Sequence, residues 1–191
     1  HMGHMVVLGK LKQLQNLGHK IILLIGDFTA RIGDPDKSQA RTVLTHTEVL
    51  ENAKFYQEQA SALINFEGEN PAELKYNGEW LDQMNFADVL NLASQMTVQR
   101  MLDRDMFKKR VEAGTPVYIH EFMYPLMQGY DSVAMNVDGE VGGNDQTFNM
   151  LVGRDLLKNT ENPKEKFVIP MKLLVDNNGD KMGKTTGNML S

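Results

Sequence analysis

An unbroken apolar run near the start of the chain restricts the fold most. Lys20–Ile25 reads KIILLI, and it follows a helical spacing of apolar residues over His1–Leu17 that Gly18 ends. A strand without polar alternation is buried on both faces, which is typical of parallel sheets. A helix that leads into such a strand predicts an α/β layer fold. Because that fold normally starts with a strand, either a first strand is missing or the numbering starts inside a longer protein.

Loop and helix signals alternate after this strand. Gly26–Pro35 (GDFTARIGDP) is a loop with two Gly-Asp pairs, which place carboxylates at the carboxyl end of the strand. Thr45 and Glu48 match a capping box, so a helix is predicted to begin there. Gly68–Leu81 contains a proline and an Asn-Gly pair, and we predict a loop over this range.

A helix-rich block separates the two halves of the chain. The apolar spacing predicts helices over Phe86–Ala93 and Thr97–Ala113. We interpret Phe86–Ile119 as a helical insertion between the two halves of a nucleotide-binding fold. Beyond it, Lys166–Pro170 and Lys172–Val175 are predicted to be short strands.

A row of hydrogen-bonding side chains follows the inserted block. Tyr124, Gln128 and Asp131 are spaced by four and three residues, which places them on one side of a predicted helix. Gly142–Gln146 (GGNDQ) is predicted to form a tight turn after a short strand. A polar row beside a glycine turn at a strand end is typical of a pocket for a small polar ligand next to a nucleotide. The alternative is an ordinary amphipathic helix whose polar side faces solvent.

Both ends of the chain carry groups that suit phosphate binding. His1–His4 (HMGH) places two imidazoles around a glycine where a helix begins, and helix N-termini favour anions. Lys181–Asn188 (KMGKTTGN) is a glycine-containing loop whose two lysines can close over a polyphosphate. The alternatives are a solvated surface loop and histidines left from a cloning tag.

Composition narrows the compartment and the partners. The chain has no cysteine, which excludes disulfides and thiolate zinc sites and leads us to expect a reducing, cytoplasmic location. The net charge of −5 argues against a generally basic surface that coats nucleic acid. The longest apolar run, Ile21–Ile25, is far too short to cross a bilayer, so no membrane partner is expected.

Taken together, these motifs resemble the class I aminoacyl-tRNA synthetases, specifically the bacterial tyrosyl-tRNA synthetases. His1–His4 is similar to the HIGH signature, and Lys181–Thr185 (KMGKT) is similar to the KMSKS signature with Gly183 and Thr185 in place of the two serines. GDFTARIGDP, the YxxxQxxD helix and GGNDQ resemble the tyrosine enzymes in particular. The resemblance implies a Rossmann-like nucleotide-binding fold with a parallel sheet, interrupted by the helical insertion at about 86–119. Residues 1–191 would form the catalytic core, without the N-terminal strand and the C-terminal anticodon-binding region.

The resemblance also implies which residues take part. The expected tyrosine-binding residues are Asp34, Tyr124, Gln128, Asp131 and Gln146. The expected ATP-binding residues are Gly3, His4, Gly142, Asp145 and Lys184. The expected catalytic residues, which would stabilise phosphate charge, are His1, His4, Lys181, Lys184 and Thr185. A mobile loop that reaches over the pyrophosphate is expected to contain Lys37 and Arg41.

The implied activity is that of a tyrosine–tRNA ligase. L-tyrosine would be activated by ATP to tyrosyl-adenylate with release of pyrophosphate, and the tyrosyl group would then pass to tRNA(Tyr). ATP would be used as its Mg²⁺ complex, no protein-bound metal is expected, and the inserted block implies a homodimer. Three alternatives stay open: a tryptophan-type synthetase, a small nucleotidyltransferase with a similar phosphate site, and a truncated, non-catalytic module that binds RNA or protein.

Overall fold

Helices and four short strands form the part of the chain that the structure describes. The computed structural model describes residues 2–33, 45–175 and 179, without the side chains of residues 2–4 and 46. The helices are α1 (Met2–Asn16), α2 (His46–Ala60), α3 (Gly78–Leu81), α4 (Phe86–Ala93), α5 (Val98–Met101), α6 (Asp105–Glu112), α7 (Ile119–Met135) and α8 (Thr147–Lys158). The strands are β1 (Ile22–Ile25), β2 (Glu73–Tyr76), β3 (Gly139–Gly143) and β4 (Phe167–Met171). None of the helices in these ranges has the length and apolar character needed to span a bilayer.

The four strands form two parallel pairs. β1 pairs with β2, with Ile22 opposite Glu73, and β3 pairs with β4, with Gly139 opposite Phe167. The parallel arrangement is the one that the apolar run predicted. Within residues 2–33 and 45–175, no ladder of hydrogen bonds joins β1 to β3, so the strands form two separate half-sheets.

Several helix ends lie where local signals predicted them. Gly18 follows α1 with a φ of +90°, a conformation that favours glycine and ends the helix. The Glu48 N–H donates to Thr45 Oγ1 at 3.3 Å and the Thr45 N–H donates to the Glu48 carboxylate at 2.8 Å, which forms the capping box at the start of α2. α4 has the predicted bounds. α7 ends at Met135, and the next residue, Asn136, adopts a left-handed conformation with a φ of 49°.

The loop predicted over Gly68–Leu81 is wrong, because this range contains β2 and α3. β2 is only four residues long and lies between turn-forming residues, so its local pattern is weak. Its ladder to β1 begins where the Glu73 N–H donates to the Ile21 carbonyl at 2.9 Å. A strand of this kind is determined by its partner rather than by its own sequence.

Two other predicted segments also differ from the structure. Thr97–Ala113 is not one helix: α5 ends at Met101 and α6 begins at Asp105. Arg104 lies between them in an extended conformation, with φ −66° and ψ 117°, which interrupts the helical hydrogen bonds. Lys172–Val175 is not a strand, since its backbone is irregular apart from an isolated bridge at its last residue.

Two apolar clusters hold the elements together. Leu8 of α1 and Leu23 of β1 belong to the first cluster, which α2 completes. The second cluster joins the inserted block to α7 and α8 through buried side chains that include Phe107 and Val152. The Phe107 ring meets Phe122 edge-on, with ring centroids 4.8 Å apart. The inserted block is therefore packed against the helix that carries the polar row.

Gly129 allows α7 and α8 to approach closely. A Cβ atom at this position would lie 2.7 Å from Val152 Cγ1 and 3.1 Å from the backbone nitrogen of Gly153. We expect Gly129→Ala to destabilise the fold by about 1–3 kcal/mol, because the two helices would have to move apart. Urea unfolding measures this change in the free energy of unfolding.

Gly9→Ala in α1 is the matched control for this substitution. No atom lies within 4 Å of a Cβ at that position. Alanine favours a helix more than glycine does, so this variant should be as stable as the native protein or slightly more stable. Equal destabilisation by the two substitutions would contradict the role of Gly129.

Candidate functional site

The polar row on α7 faces the interior of the protein. Asp131 is only 4 % exposed, and Tyr124 and Gln128 are half-buried. The alternative of an amphipathic helix whose polar side faces solvent therefore does not hold. Buried polar groups need hydrogen-bond partners, and the partners of this row define the site.

Asp131 accepts hydrogen bonds from two side chains that are distant in sequence. Trp80 Nε1 donates to Oδ1 at 2.8 Å, and Asn77 Nδ2 donates to Oδ2 at 3.4 Å. Asn77 follows β2 directly and Trp80 lies in α3, so both donors come from the segment that was predicted to be a loop. One end of the polar row is thus a carboxyl group held in a defined orientation.

Asn77 also connects the carboxyl ends of β1 and β2. Its Oδ1 accepts from the Phe28 N–H at 3.0 Å, and its Nδ2 donates to Thr29 Oγ1 at 3.2 Å. Beside it, the Gly78 N–H donates to Asp27 Oδ1 at 2.8 Å. The carboxyl ends of neighbouring parallel strands are where α/β folds usually hold their ligands, and Asp131 reaches this edge from α7, the helix that precedes β3.

The protonation of Asp131 is strongly shifted from that of a free aspartic acid. Burial raises the pKa of Asp131 to about 7, although the hydrogen bonds from Trp80 and Asn77 lower it, and the charges of Glu140 and Asp27 add to the rise. The ionised form suits a ligand hydroxyl, because a carboxylate is an acceptor only. A buried carboxyl group that titrates near neutral pH is typical of a functional position.

Amide side chains surround the next turn of the row. Asn149 Nδ2 donates to Gln128 Oε1 at 2.9 Å and to Gln146 Oε1 at 3.1 Å, and Gln128 Nε2 donates to Glu140 Oε1 at 3.4 Å. Asn149 is fully buried, and its Oδ1 has no hydrogen-bond donor among the described residues. These contacts bring α7, β3 and the start of α8 together around Gln128.

The glycines near the site belong to a strand rather than to a turn. Gly142 and Gly143 are the last residues of β3, opposite Pro170 and Met171 of β4, so the tight turn predicted for them is wrong. Only Asn144–Gln146 turns, as a single 3₁₀ turn. The small size of the glycines still matters: a Cβ at Gly143 would lie 2.6 Å from Asp145 Oδ1. The same Cβ would lie 2.8 Å from Leu173 Cδ2, so glycine allows these side chains to pack closely against the strand end.

The structure brings part of the predicted site together. Gln128, Asp131 and Gln146 lie in one region around α7, with Tyr124 one turn before Gln128, and Gly142 and Asp145 lie at the adjoining end of β3. Gly3 and His4 lie in the first turn of α1, although the His4 side chain is not described. Outside the described residues are His1, Asp34, Lys37, Arg41, Lys181, Lys184 and Thr185.

Four contacting residues were missed from the sequence. They are Asn77, Trp80, Glu140 and Asn149. Trp80 is the single tryptophan of the chain, and Asn77 belongs to an Asn-Gly pair that was interpreted as a turn. The signal that could have identified Asn77 is its position directly after β2. A residue at the carboxyl end of a parallel strand is a candidate for a ligand site.

The described side chains of the site are hydrogen-bond acceptors and donors. In the ranges 2–33 and 45–175, no three histidine, aspartate or glutamate side chains converge to hold a metal ion. The carboxyl group at one end and the amides at the other suit an elongated ligand with a hydroxyl at one end and a polar, charged head at the other.

Comparison with known families agrees with this geometry. The profile of a family described as tRNA synthetases class I (W and Y) matches residues 1–191. The chain therefore belongs to the class I tRNA synthetases of the tryptophan and tyrosine group. The resemblance drawn from the motifs and the predicted Rossmann-like α/β fold class are both confirmed.

Curated relatives narrow the resemblance to the tyrosine enzymes. The tyrosine–tRNA ligase of Thermotoga maritima is 51 % identical over 193 residues, which cover 100 % of this chain and 47 % of that protein. The tyrosine–tRNA ligase of Carboxydothermus hydrogenoformans is 52 % identical over 194 residues, which cover 100 % of this chain and 46 % of that protein. The chain thus spans about half the length of the curated relatives it matches.

Solved structures of the same kind share the fold. A C-terminally truncated mitochondrial tyrosyl-tRNA synthetase of Coccidioides posadasii matches with a TM-score of 0.79 and 27 % identity, over 95 % of this chain and 57 % of that one. A tyrosyl-tRNA synthetase from Archaeoglobus fulgidus, complexed with L-tyrosine, matches with a TM-score of 0.72 and 27 % identity, over 98 % of this chain and 56 % of that one.

Proposed function

We propose that this chain forms the catalytic core of a tyrosine-specific synthetase, which activates L-tyrosine with ATP and transfers it to tRNA(Tyr). The observation that carries this proposal is a site with the buried Asp131 carboxyl at one end and the amides around Gln128 at the other. A phenol matches the carboxyl end and the head of an amino acid matches the amide end. The identity to tyrosine–tRNA ligases over the whole chain supports the same substrate.

Tyrosine is proposed to lie along α7. Asp131 accepts the hydrogen bond of the phenol, while Tyr124, Gln128 and Asp34 hold the α-ammonium group. Gln146 contacts the carboxylate side of the amino acid. Asn149 donates to both Gln128 and Gln146, so the two amides lie near each other, which supports this order.

ATP is proposed to lie beyond Gln146, against the end of β3. Gly142 and Asp145 are the proposed contacts at this strand end, with Asp145 binding the ribose. The remaining proposed contacts to ATP come from Gly3, His4 and Lys184, with Lys37 and Arg41 reaching the pyrophosphate. Mg²⁺ accompanies ATP as part of the substrate complex.

The proposed reaction needs alignment and charge neutralisation rather than a general base. The tyrosine carboxylate is already ionised at pH 7 and attacks the α-phosphorus, and the bond to the bridging oxygen breaks as pyrophosphate leaves. Positive side chains and hydroxyls stabilise the phosphate charge; the proposed ones are His1, His4, Lys181, Lys184 and Thr185. The tyrosyl group then passes from the adenylate to the terminal ribose of the tRNA.

The inserted block, about 86–119, is proposed to be the homodimer interface of this core. Large apolar side chains on and next to this block are exposed, with Phe86 at 76 % and Ile119 at 85 %. Exposed large apolar side chains of this kind are what a subunit interface would cover. A cytoplasmic location is proposed with this function, since tRNA charging supplies translation there.

Ligand-induced stabilisation tests the substrate directly. At about ten times its Kd, L-tyrosine should stabilise the protein by about 1.4 kcal/mol and raise the melting temperature by roughly 3–6 °C. Tryptophan and phenylalanine should produce no comparable rise at the same concentration. A rise with tryptophan alone would support the other specificity of the family instead.

Exchange of pyrophosphate into ATP tests the chemistry of the first step. The exchange should depend on tyrosine and should be slowed far more by Lys184→Ala than tyrosine binding is weakened, because the lysine is proposed to act on phosphate charge. Stabilisation by tyrosine without any exchange would support a binding module in place of an enzyme.

A further inference from the structure

A buried lysine lies behind the polar row and is not part of the proposed site. Lys166, just before β4, is 2 % exposed. Its ammonium group donates to Glu140 Oε2 at 2.6 Å, to the Met150 carbonyl at 2.8 Å and to Ser132 Oγ at 2.9 Å. A lysine ammonium has three donors, so each of them has an acceptor.

The surroundings of Lys166 are shaped to fit this ammonium group. A Cβ at Gly153 would lie 2.6 Å from Lys166 Nζ and 2.8 Å from Ser132 Oγ. Arg154 Nε donates to the Lys166 carbonyl at 2.9 Å and fixes the backbone at this point. A buried charge is costly unless it is paired and fully hydrogen-bonded, and Lys166 meets both conditions.

Glu140 connects Lys166 to the polar row. Its Oε2 accepts from Lys166, and its Oε1 accepts from Gln128 Nε2 at 3.4 Å. The other end of the Gln128 amide is held by Asn149 Nδ2 at 2.9 Å. Glu140 and Asn149 together fix the orientation of the Gln128 amide: its nitrogen points to the Glu140 carboxylate, and its oxygen points to Asn149 of α8.

We propose that the buried Lys166–Glu140 ion pair is a positioning unit for the amino-acid site. Glu140 orients the Gln128 amide, and Lys166 holds the Glu140 carboxylate in place and balances its charge next to Asp131. This inference rests on the proposed function in one respect, the assignment of Gln128 to the α-ammonium group of the substrate. Neither Lys166 nor Glu140 touches the ligand in this arrangement.

Two double variants separate positioning from general damage to the fold. Lys166→Met with Glu140→Met replaces the ion pair by apolar side chains of similar volume, a change that often leaves stability intact. Lys166→Met with Glu140→Gln also removes both charges but keeps an acceptor for Gln128. Lys164→Met is the matched control. Lys164 lies two residues before Lys166 and forms an ion pair with Asp138 at 2.9 Å, an ion pair that does not involve Gln128.

Calorimetry should compare two ligands on each variant. L-tyrosine carries the α-ammonium group, and 3-(4-hydroxyphenyl)propionate has the same phenol and carboxylate without it. In the Met/Met variant the affinity for tyrosine should fall about tenfold, with the affinity for the des-amino ligand nearly unchanged. The Met/Gln variant should recover most of the lost affinity, and the Lys164→Met control should match the native protein.

The side-chain amide NMR signal of Gln128 provides a readout without ligand. It should shift and broaden in the Met/Met variant and return toward its native position in the Met/Gln variant. An equal loss of affinity for both ligands, or an unchanged Gln128 signal in the Met/Met variant, would overturn the positioning role. If the native protein binds no tyrosine, the proposed function fails, and the Gln128 signal alone decides for or against the positioning unit.

Discussion

Asp131→Ala is expected to remove most of the preference for tyrosine over phenylalanine. In the proposed site, phenylalanine would leave Asp131 with only its hydrogen bonds from Trp80 and Asn77, and a buried carboxyl that lacks one of its partners is costly. Alanine has no such group to satisfy, so the two amino acids become nearly equivalent ligands. Tyrosine-specific synthetases are already known to prefer tyrosine over phenylalanine by about 10⁵-fold, and this known value sets the size of the expected loss.

Tyrosine and phenylalanine affinities, measured by calorimetry on the same preparation, provide the comparison. Asp138→Ala is the control, because Asp138 is an acid just beyond the end of α7 whose side chain is 84 % exposed. The control should keep the full preference for tyrosine. An Asp131→Ala protein that is folded by circular dichroism and still rejects phenylalanine strongly would refute the assignment of the phenol to this end of the site.

Asp131 should also make the fold less stable as the pH rises from about 4 to about 7. Its pKa is about 7 in the folded protein and 3.8 in its ordinary state. Between these values the folded state holds a proton that the unfolded state has lost, so stability falls as pH rises. The penalty is absent below this window and complete above it, and a pKa difference of about 3 corresponds to about 4 kcal/mol at most.

Asp131→Asn removes this titration while keeping a similar shape. The native protein should therefore lose stability relative to the variant as the pH rises through the window, in urea unfolding at several pH values. Glu121→Gln is a control of opposite sign. Burial by itself would raise the pKa of Glu121, but hydrogen bonds from Arg110 and the Tyr118 N–H, and the charge of Arg110, hold it below 4.5.

The ionised Glu121 therefore stabilises the fold above about pH 4.5, and this stabilisation is lost as the pH falls through the lowered pKa. In acid, the free energy of unfolding of the native protein should fall toward that of Glu121→Gln. Toward neutral pH, it should fall increasingly below that of Asp131→Asn. A difference between native and Asp131→Asn that does not change between pH 4 and 7 would show that the folded Asp131 is not protonated in this range.

The elements with strong local signals were predictable from the sequence. The capping box at Thr45, the stop at Gly18 and the spacing of Tyr124, Gln128 and Asp131 all depend on residues within one or two helical turns. β2 was missed because four residues between turn signals carry little information until β1 is beside them. The break between α5 and α6 was missed because their shared apolar spacing continues across it.

The site could be predicted only in part, for the same physical reason. Asp131 was identified from its own helix, but its donors Trp80 and Asn77 are about 50 residues away in sequence, at 51 and 54 positions. Lys166 was interpreted as the start of a strand, because no local pattern distinguishes a buried lysine from an exposed one. Its role depends on Glu140, 26 residues earlier, and a contact of that range is visible only in the folded chain.

The division into two half-sheets has a mechanical consequence. In the described part of the chain, β1–β2 and β3–β4 share no ladder, and the hydrogen bonds from Trp80 and Asn77 to Asp131 join the β1–β2 side to α7, the helix that precedes β3. A small opening or closing movement across this junction would break no strand pairing. A ligand hydroxyl that donates to the same Asp131 oxygens would add one more hydrogen bond at this junction, so local opening of the described segments is expected to become rarer when the ligand is bound.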